Sequence, residues 1–261
     1  MSHPVSPTGD PKAGRAQDRP IGPLVIAVDG PSGSGKSSVS RAVAQRLDLA
    51  FLDTGAMYRA LTWWCLEHGI DLDDKDAVAV AARELPLEMG TDPQAPGVAV
   101  GGTDIATAIR ATAISEQVSR VATNLAVREE MRRRQRALLG ASPRGTVAEG
   151  RDITTVVAPD ADVRLLLTAS EQARLARRAR ELHGAADADA IAATHDQVVR
   201  RDRDDSTVSQ FTVAADGVVT VDSSALTLEQ VIDVVLGLVE ERTADAPVGG
   251  TVTGRTAADP S

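Results

Sequence analysis

The sequence predicts an α/β fold with helices packed around a parallel sheet, and three observations support this prediction. A glycine-rich turn joins a strand pattern to a helical pattern near the start of the chain. Helical patterns separate most of the later strand patterns, which indicates βαβ units. A capped helical pattern follows the last strand pattern. Five short apolar runs predict the strands, at 24–29, 50–53, 145–148, 163–167 and 217–222.

The first strand, turn and helix match a phosphate-binding loop. The strand at 24–28 is short, apolar and β-branched, and the helix Lys36–Leu47 has apolar residues at a spacing of four. Residues 30–37 between them fit G-x-x-x-x-G-K-[ST] at every fixed position. We expect backbone N–H groups to face phosphates, Lys36 to reach the β- and γ-phosphates, and Ser37 to help hold Mg²⁺. The alternative is a chance glycine-rich turn, which the flanking strand and helix disfavour.

The stretch 70–113 interrupts this alternation and is expected to form a small subdomain inserted into the α/β core. Its pattern predicts a short helix around 74–84, followed by a pair of strands that includes Val98–Val100. A long helix, roughly 114–139, is expected to close the insert. We interpret the insert as the part of the protein that binds a substrate.

Arginines concentrate in the region 170–206, where two helical patterns flank a predicted turn at 183–187. Arg174 and Arg178 share one helix face, and Arg177 lies beside it. This helical hairpin resembles a mobile lid that would cover a triphosphate and exclude water. The alternative is a charged hairpin that is simply solvated.

The last predicted helix follows the strand at 217–222. Thr227 and Gln230 have the spacing of a capping box at its start. Its predicted apolar stripe consists of Val231, Val234, Val235 and Leu238.

Composition limits the partners and the location of the protein. The chain has 261 residues and a net charge of −9, so it is not expected to bind nucleic acid through bulk charge. Residues 1–22 have no apolar signal-peptide core, no run approaches the roughly 20 apolar residues of a membrane span, and Cys65 is the single cysteine. We therefore expect a cytoplasmic protein that does not bind membranes. Disordered tails are predicted at 1–22 and 243–261, around one domain at 23–242.

Polar residues follow the second predicted strand, at the sheet edge where α/β proteins bind ligands. Asp53 and Thr54 are candidates for hydrogen bonds to a ribose or base, and Arg59 is a candidate for binding a phosphate. The alternatives are that Asp53 or Thr54 caps a helix and that Tyr58 lies in the core.

The third predicted strand is also followed by an acid and an arginine, in the stretch Glu149-Gly150-Arg151-Asp152. A surface ion pair is the alternative interpretation here, and it would contribute little stability. The chain lacks the N-K-x-D motif of GTPases and the L-S-G-G-Q-like signature of transporter ATPases. The remaining class is a small-molecule phosphotransferase, which needs arginines to bind a second anionic substrate.

Seven short stretches occur in order over most of the chain and form a recognisable pattern. They are V-D-G-P-S-G-S-G-K-S (28–37), L-D-T-G-A-M-Y-R (52–59), V-S-R-V-A (118–122), V-R-E-E-M-R-R-R-Q-R (127–136), G-R-D (150–152), T-V-V-A-P-D-A (155–161) and R-D-R-D-D-S (201–206). In these stretches the chain resembles the bacterial cytidylate kinases, relatives of adenylate kinase, over roughly residues 23–241. The resemblance implies transfer of the ATP γ-phosphoryl group to CMP or dCMP. It also implies a monomer with a five-stranded parallel sheet, a CMP-binding insert and a helical lid.

The motif and the resemblance together assign site residues. ATP is expected to bind Gly30, Pro31, Ser32, Gly33, Ser34, Gly35, Lys36, Ser37 and Ser38, with Mg²⁺ at Ser37. The implied CMP site consists of Asp53, Thr54, Tyr58, Arg59, Ser119, Arg128, Glu149, Arg151, Asp152, Arg201 and Asp205. The expected catalytic residues are Lys36, Arg174, Arg178 and Arg201.

The chain departs from the pattern of these kinases at three places. Glu149 stands where they usually carry Asp, and Thr154 stands where glycine is common. Their R-D-x-x-D-S motif usually continues with a second arginine, which the stretch 206–211 does not contain. This phosphate contact is therefore expected to be either missing or supplied by another arginine, such as Arg203.

Two alternative functions remain open from the residues alone. The first is another small-molecule kinase, acting on UMP, shikimate or dephospho-coenzyme A. The second is a regulator that binds ATP without catalysis. A panel of phosphate acceptors would separate these possibilities.

Overall fold

The computed structural model describes residues 23–184 and 186–244. The expected tail at 1–22 lies outside the described residues, and so does the expected C-terminal tail after Ala244. The first two residues of that tail, Thr243 and Ala244, instead complete the last helix. In the part of the chain described, no helix is long and apolar enough to cross a bilayer.

Five strands form one parallel sheet, which confirms the predicted fold class. The sheet contains β1 (Leu24–Asp29), β2 (Ala50–Asp53), β6 (Gly145–Gly150), β7 (Val163–Thr168) and β8 (Val219–Asp222). Their spatial order is β2-β6-β1-β7-β8, so β1 is central and pairs with β6 and β7. All five predicted strands are present, and only the last begins later than expected.

Two hydrophobic cores lie on opposite faces of this sheet because strand side chains alternate between faces. On β1, Ile26 and Val28 pack into one core and Ala27 packs into the other. The helices α1 (Lys36–Leu47) and α8 (Leu228–Ala244) cover the first face. The helices α2 (Thr54–Glu67), α3 (Lys75–Glu84) and α5 (Leu125–Ala141) cover the second.

The predicted long helix at 114–139 is wrong, because the chain forms two helices there. They are α4 (Thr112–Ala122) and α5, and Asn124 separates them. The Asn124 side chain accepts hydrogen bonds from the N–H groups of Ala126 and Val127, and its amide donates to the Lys75 carbonyl. The Asn124 side chain takes the place of the backbone carbonyls that would accept from these N–H groups in a continuous helix. A new helix therefore begins here, and the preceding helix ends.

The insert contains more structure than expected. The predicted strand pair is a three-stranded antiparallel sheet of β3 (Leu87–Met89), β4 (Val98–Val100) and β5 (Thr103–Asp104). β5 is exposed and only two residues long, so it has no alternating apolar pattern that the sequence could reveal.

The arginine-rich region folds as the expected helical hairpin of α6 (Glu171–His183) and α7 (Ala188–Ser206). Ser170 and Asp187 cap the starts of these helices, and Gly184 ends α6 in the left-handed conformation. At α8, Thr227 and Gln230 form the predicted capping box.

The predicted apolar stripe of α8 is partly wrong. Val231 and Val235 are buried, but Val234 is 42% exposed. Ile232 and Val239 are buried in its place, so the buried face is rotated from the predicted one.

Candidate active site

A cleft of about 940 Å³ opens at the carboxyl edge of the central sheet. Its walls come from the P-loop (residues 30–37), the start of α2, α4, the start of α5 and the segment after β6. The helices α6 and α7, the hairpin expected to act as a lid, complete them. The predicted site residues that line it are Ser32, Gly33, Ser34, Gly35, Lys36, Ser37, Ser38, Asp53, Thr54, Tyr58, Arg59, Arg128, Glu149, Arg151, Asp152, Arg178, Arg201 and Asp205. Tertiary folding therefore brings most of the predicted site into one cavity.

The P-loop has the backbone conformation expected for a phosphate site. Gly33 and Gly35 have φ values of +76° and +92°, which L side chains rarely adopt. A Cβ atom on Gly33 would lie 2.6 Å from the carbonyl oxygen of Arg174, so the lid helix also requires a glycine there. The Lys36 ammonium donates to the Pro31 carbonyl at 3.2 Å, and burial lowers its pKa to about 8.

Glu149 lies against the P-loop. The Ser37 hydroxyl donates to Glu149 Oε1 at 2.5 Å, and the Thr54 hydroxyl donates to the Glu149 carbonyl at 2.7 Å. Burial, and then the charge of Asp53, raise the pKa of the Glu149 carboxyl. A buried carboxylate beside a hydroxyl offers the oxygen ligands that Mg²⁺ prefers. The donor chemistry of Ser37 and Glu149 therefore fits a magnesium ion, which these two side chains would hold.

Asp53 connects helix capping to the cleft. Its carboxylate accepts from the Ala56 N–H at 2.9 Å and from the Arg59 guanidinium at 2.8 Å. Burial opposes the charged form, but Arg59 and the Ala56 N–H outweigh it, so the pKa of Asp53 is lowered. The capping interpretation of Asp53 is thus correct. Arg110, the last residue of the 3-10 helix Ala108–Arg110, also favours this charge and lines the cleft, although no sequence pattern predicted a role for it.

Asp152 and Arg128 form a mostly buried pair instead of the surface ion pair considered from the sequence. Their side chains are 14% and 10% exposed, and Arg128 Nη2 donates to Asp152 Oδ2 at 2.5 Å. The same nitrogen donates to the Ser209 hydroxyl at 2.8 Å. Tyr58 lies nearby, and burial together with the Asp152 charge raises its pKa to about 12. Tyr58 both packs against the core and lines the cleft.

Four guanidinium groups converge in the cleft and are called here the arginine cluster: Arg59, Arg151, Arg178 and Arg201. Burial lowers the pKa of Arg201 well below its usual value, and the like charges of the other three arginines lower it further. The buried Nε atoms of Arg59, Arg151 and Arg201 find no hydrogen-bond partner among the described residues. Each of these arginines also pairs with a carboxylate of the chain. The unused Nε donors are still costly while buried, and an anion bound in the cluster would add acceptors.

Asp202 joins the lid to the P-loop, a role that the sequence did not indicate. Its Oδ1 atom accepts from the Ser32 N–H at 3.0 Å and from Arg151 at 3.1 Å, and its Oδ2 atom accepts from Arg174. Arg174 also donates to the Ser32 carbonyl at 2.9 Å. Arg177 donates to the Ser34 carbonyl at 3.1 Å. The lid helices therefore pack directly on the rim of the P-loop.

Four predicted site residues do not line the cleft with the others. Gly30 and Pro31 lie behind the P-loop wall, and Arg174 is engaged by Asp202 and Ser32. Ser119 lies behind Asp205, to which its hydroxyl donates at 3.1 Å, and lines a separate surface pocket. Gly30 nevertheless permits a close approach, because a Cβ atom there would lie 2.3 Å from the Leu167 carbonyl oxygen.

Arg203 does not replace the missing second arginine, contrary to expectation. Its side chain is 75% exposed and pairs with Asp204 on the outside of α7. In the stretch 206–211, Ser209 instead contacts Arg128, and the ring of Phe211 lies 4.9 Å beneath the Arg151 guanidinium. A serine and an aromatic ring thus contact two cleft arginines from the stretch in which this chain lacks the second arginine.

Known proteins resemble this chain over nearly its whole described length. The family model described as cytidylate kinase matches residues 26–241. A cytidylate kinase of Streptomyces avermitilis is 47% identical over 227 residues, which cover 87% of this chain and 96% of that protein. A cytidylate kinase of Cutibacterium acnes is 51% identical over 220 residues, which cover 83% of this chain and 96% of that protein.

Proposed function

Because the chain belongs to the cytidylate kinase family, we infer that it transfers the γ-phosphoryl group of ATP to CMP or dCMP. The products are ADP and CDP or dCDP. The observation that carries this inference is the arginine cluster, with its unused donors, opposite a P-loop. A P-loop alone binds one phosphate chain, whereas these additional cations provide for a second phosphorylated substrate.

The P-loop side is proposed to bind ATP. Backbone N–H groups of the glycine-rich turn and the N-terminus of α1 favour the negative charge of the phosphates. Lys36 is proposed to bind the β- and γ-phosphates, and the triphosphate would restore the usual pKa that burial lowers in the free protein. Ser37 and Glu149 are proposed to hold Mg²⁺, which neutralises charge on the phosphates when it is bound.

The opposite wall is proposed to bind CMP. Arg59, Arg151 and Arg201 are suited to its phosphate, because guanidinium groups form paired hydrogen bonds with phosphate oxygens. Arg128 and Asp152 present one donor and one acceptor at a mostly buried position, which suits the edge of a cytosine. Asp205, which accepts from Ser119, is proposed to contact the sugar.

The chemistry requires no protein nucleophile. An oxygen of the CMP phosphate attacks the γ-phosphorus, the bond to the β,γ-bridging oxygen breaks, and the electron pair leaves with ADP. Lys36, Arg178 and Arg201 are proposed to stabilise the charge on the transferring group. The lid helices are proposed to exclude water, since free water would accept the phosphoryl group in place of CMP.

An acceptor panel tests this function. With ATP as donor, we expect ADP release with CMP and dCMP and much slower release with UMP, shikimate or dephospho-coenzyme A. A strong preference for UMP over CMP would contradict the proposal. ATP binding without any acceptor-dependent ADP release would identify a regulator instead. Replacing ATP with GTP as the donor, in the same assay, tests the nucleotide preference of the P-loop side.

We also propose that the enzyme works as a monomer in the cytoplasm, without nucleic-acid or membrane partners. The acidic net charge of −9 disfavours binding to polyanions. Light scattering coupled to size exclusion should give the mass of one 27.2 kDa chain.

A further inference from the structure

Asp29 is a buried carboxylate that the proposed mechanism does not use. It is the last residue of β1, it directly precedes the P-loop, and its side chain is 1% exposed. Its Oδ1 atom accepts from the Ile153 N–H at 2.9 Å. Its Oδ2 atom accepts from the Thr154 N–H at 2.8 Å and from the Thr154 hydroxyl at 2.6 Å. All three donors belong to the segment that follows β6.

That segment carries two of the proposed CMP contacts. Arg151 and Asp152 immediately precede a single π-helical turn, Ile153–Val157, whose first two N–H groups are those bound by Asp29. The segment has little freedom to shift, because a Cβ atom on Gly150 would lie 2.5 Å from the Thr54 hydroxyl and 2.8 Å from Ile153. A rare π-helical turn beside a cleft is often associated with function.

The Thr154 hydroxyl donates a third hydrogen bond to Asp29, in addition to the two from backbone N–H groups. Any residue at 154 other than proline supplies the backbone N–H, whereas only a hydroxyl side chain supplies the third hydrogen bond. Burial raises the pKa of Asp29 to about 6, and the Thr154 hydroxyl acts against that rise. The hydroxyl therefore helps to keep the carboxylate charged, and a charged carboxylate binds the two N–H groups more strongly.

We propose that Asp29 and Thr154 are positioning residues that hold the segment bearing Arg151 and Asp152 at a fixed distance from the P-loop. Neither side chain lines the cleft, so their effect on the reaction passes through the backbone. The inference rests on the proposed function, because it assigns CMP to the segment after β6 and ATP to the P-loop.

The test is Thr154→Val, which keeps the shape of the side chain and removes the hydroxyl. We expect the KM for CMP to rise about threefold to tenfold, which is less than the full effect of one hydrogen bond to a charged group because the hydroxyl acts on CMP only through the backbone. The dissociation constant for ATP should remain within about twofold, since the P-loop itself is intact. Thr154→Ser should restore the KM for CMP. Thr155→Val is the matched control, because Thr155 is the next residue and is exposed.

Three outcomes would overturn the proposal. An unchanged KM for CMP in a folded Thr154→Val protein would show that the hydroxyl positions nothing. Equal losses for CMP and ATP would show a general structural role, as would failure of Thr154→Ser to restore the KM. Thr154→Gly replaces the valine variant if valine disturbs folding, with the same expected result. Failure of the wild-type protein to phosphorylate CMP in the same assay would instead contradict the proposed function.

Discussion

The two walls of the cleft are built in different ways. The P-loop wall comes from one contiguous stretch with two left-handed glycines, and its proposed phosphate contacts are largely backbone N–H groups. The opposite wall consists of side chains from several elements, including α2, α4, α5, the segment after β6, α6 and α7, and their positions range from Asp53 to Asp205. A phosphate site made of backbone needs only a local turn, whereas one made of side chains needs the complete fold.

The walls also differ in their electrostatics without a ligand. The P-loop directs partial charges into the cleft at little cost. The arginine cluster carries full charges that repel one another, and the pKa of Arg201 falls in response to burial and to its neighbours. Asp202 and Asp205 offset part of this charge. The remainder is available to a phosphate, and it penalises the structure when no anion is bound.

The largest expected effect comes from breaking the P-loop wall alone. Lys36→Ala should lower kcat by roughly 10³ or more, because the variant loses the cation proposed at the transferring phosphoryl group. CMP binding should persist, since the arginine wall is intact. Coupled ADP release and calorimetric titration with CMP measure the two effects. A folded variant with nearly normal kcat would contradict the proposed mechanism.

The second-largest expected effect comes from the wall that carries the arginine cluster. Arg203, two residues from Arg201 in the chain, supplies the control. Arg201→Ala should lower kcat/KM for CMP by roughly 10², the effect of removing one preorganised donor. Arg203→Ala should stay within about twofold, because Arg203 faces solvent on the same helix. Steady-state kinetics compare the variants.

The melting temperatures of Arg201→Ala and the wild type, measured without substrates, test whether Arg201 serves binding or stability. Arg201→Ala should melt no lower than the wild type, because the substitution relieves repulsion within the arginine cluster. A lower melting temperature together with unchanged kinetics would mean that Arg201 serves stability and not binding.

The smallest effect comes from an ion pair outside the cleft. Hydrogen bonds from Arg133, opposed by partial burial and aided by Arg134, lower the pKa of Glu130 to about 2. A carboxyl whose pKa is depressed on folding stabilises the protein above its unfolded pKa, and this contribution is lost as the pH falls toward 2. Glu130→Gln should lower the free energy of unfolding by less than about 1 kcal/mol at neutral pH. Chemical denaturation at neutral pH and near pH 3 should show the difference between the two proteins shrinking with acid.

Sequence patterns predicted the elements whose determinants are local. The five strands, the P-loop and the capping box depend on neighbouring residues, so their positions are correct or nearly so. The prediction of one long helix was wrong at Asn124. The apolar period continues through this position, so the sequence pattern did not show that the asparagine caps a new helix. The role suggested for Arg203 was wrong because a position close to Arg201 in the chain does not show which side of the helix faces the cleft.

The sequence by itself determined the α/β fold, the P-loop and the family, because each follows from short runs of residues in order. Only the tertiary structure decided which charged side chains meet. It paired Arg128 with Asp152 and Ser209, brought Asp202 to the P-loop, and joined Asp29 to Thr154. The physical reason is how far apart in the chain the interacting residues lie. Backbone conformation responds to adjacent residues, whereas these contacts join residues 24 to 170 positions apart and depend on how the intervening elements pack.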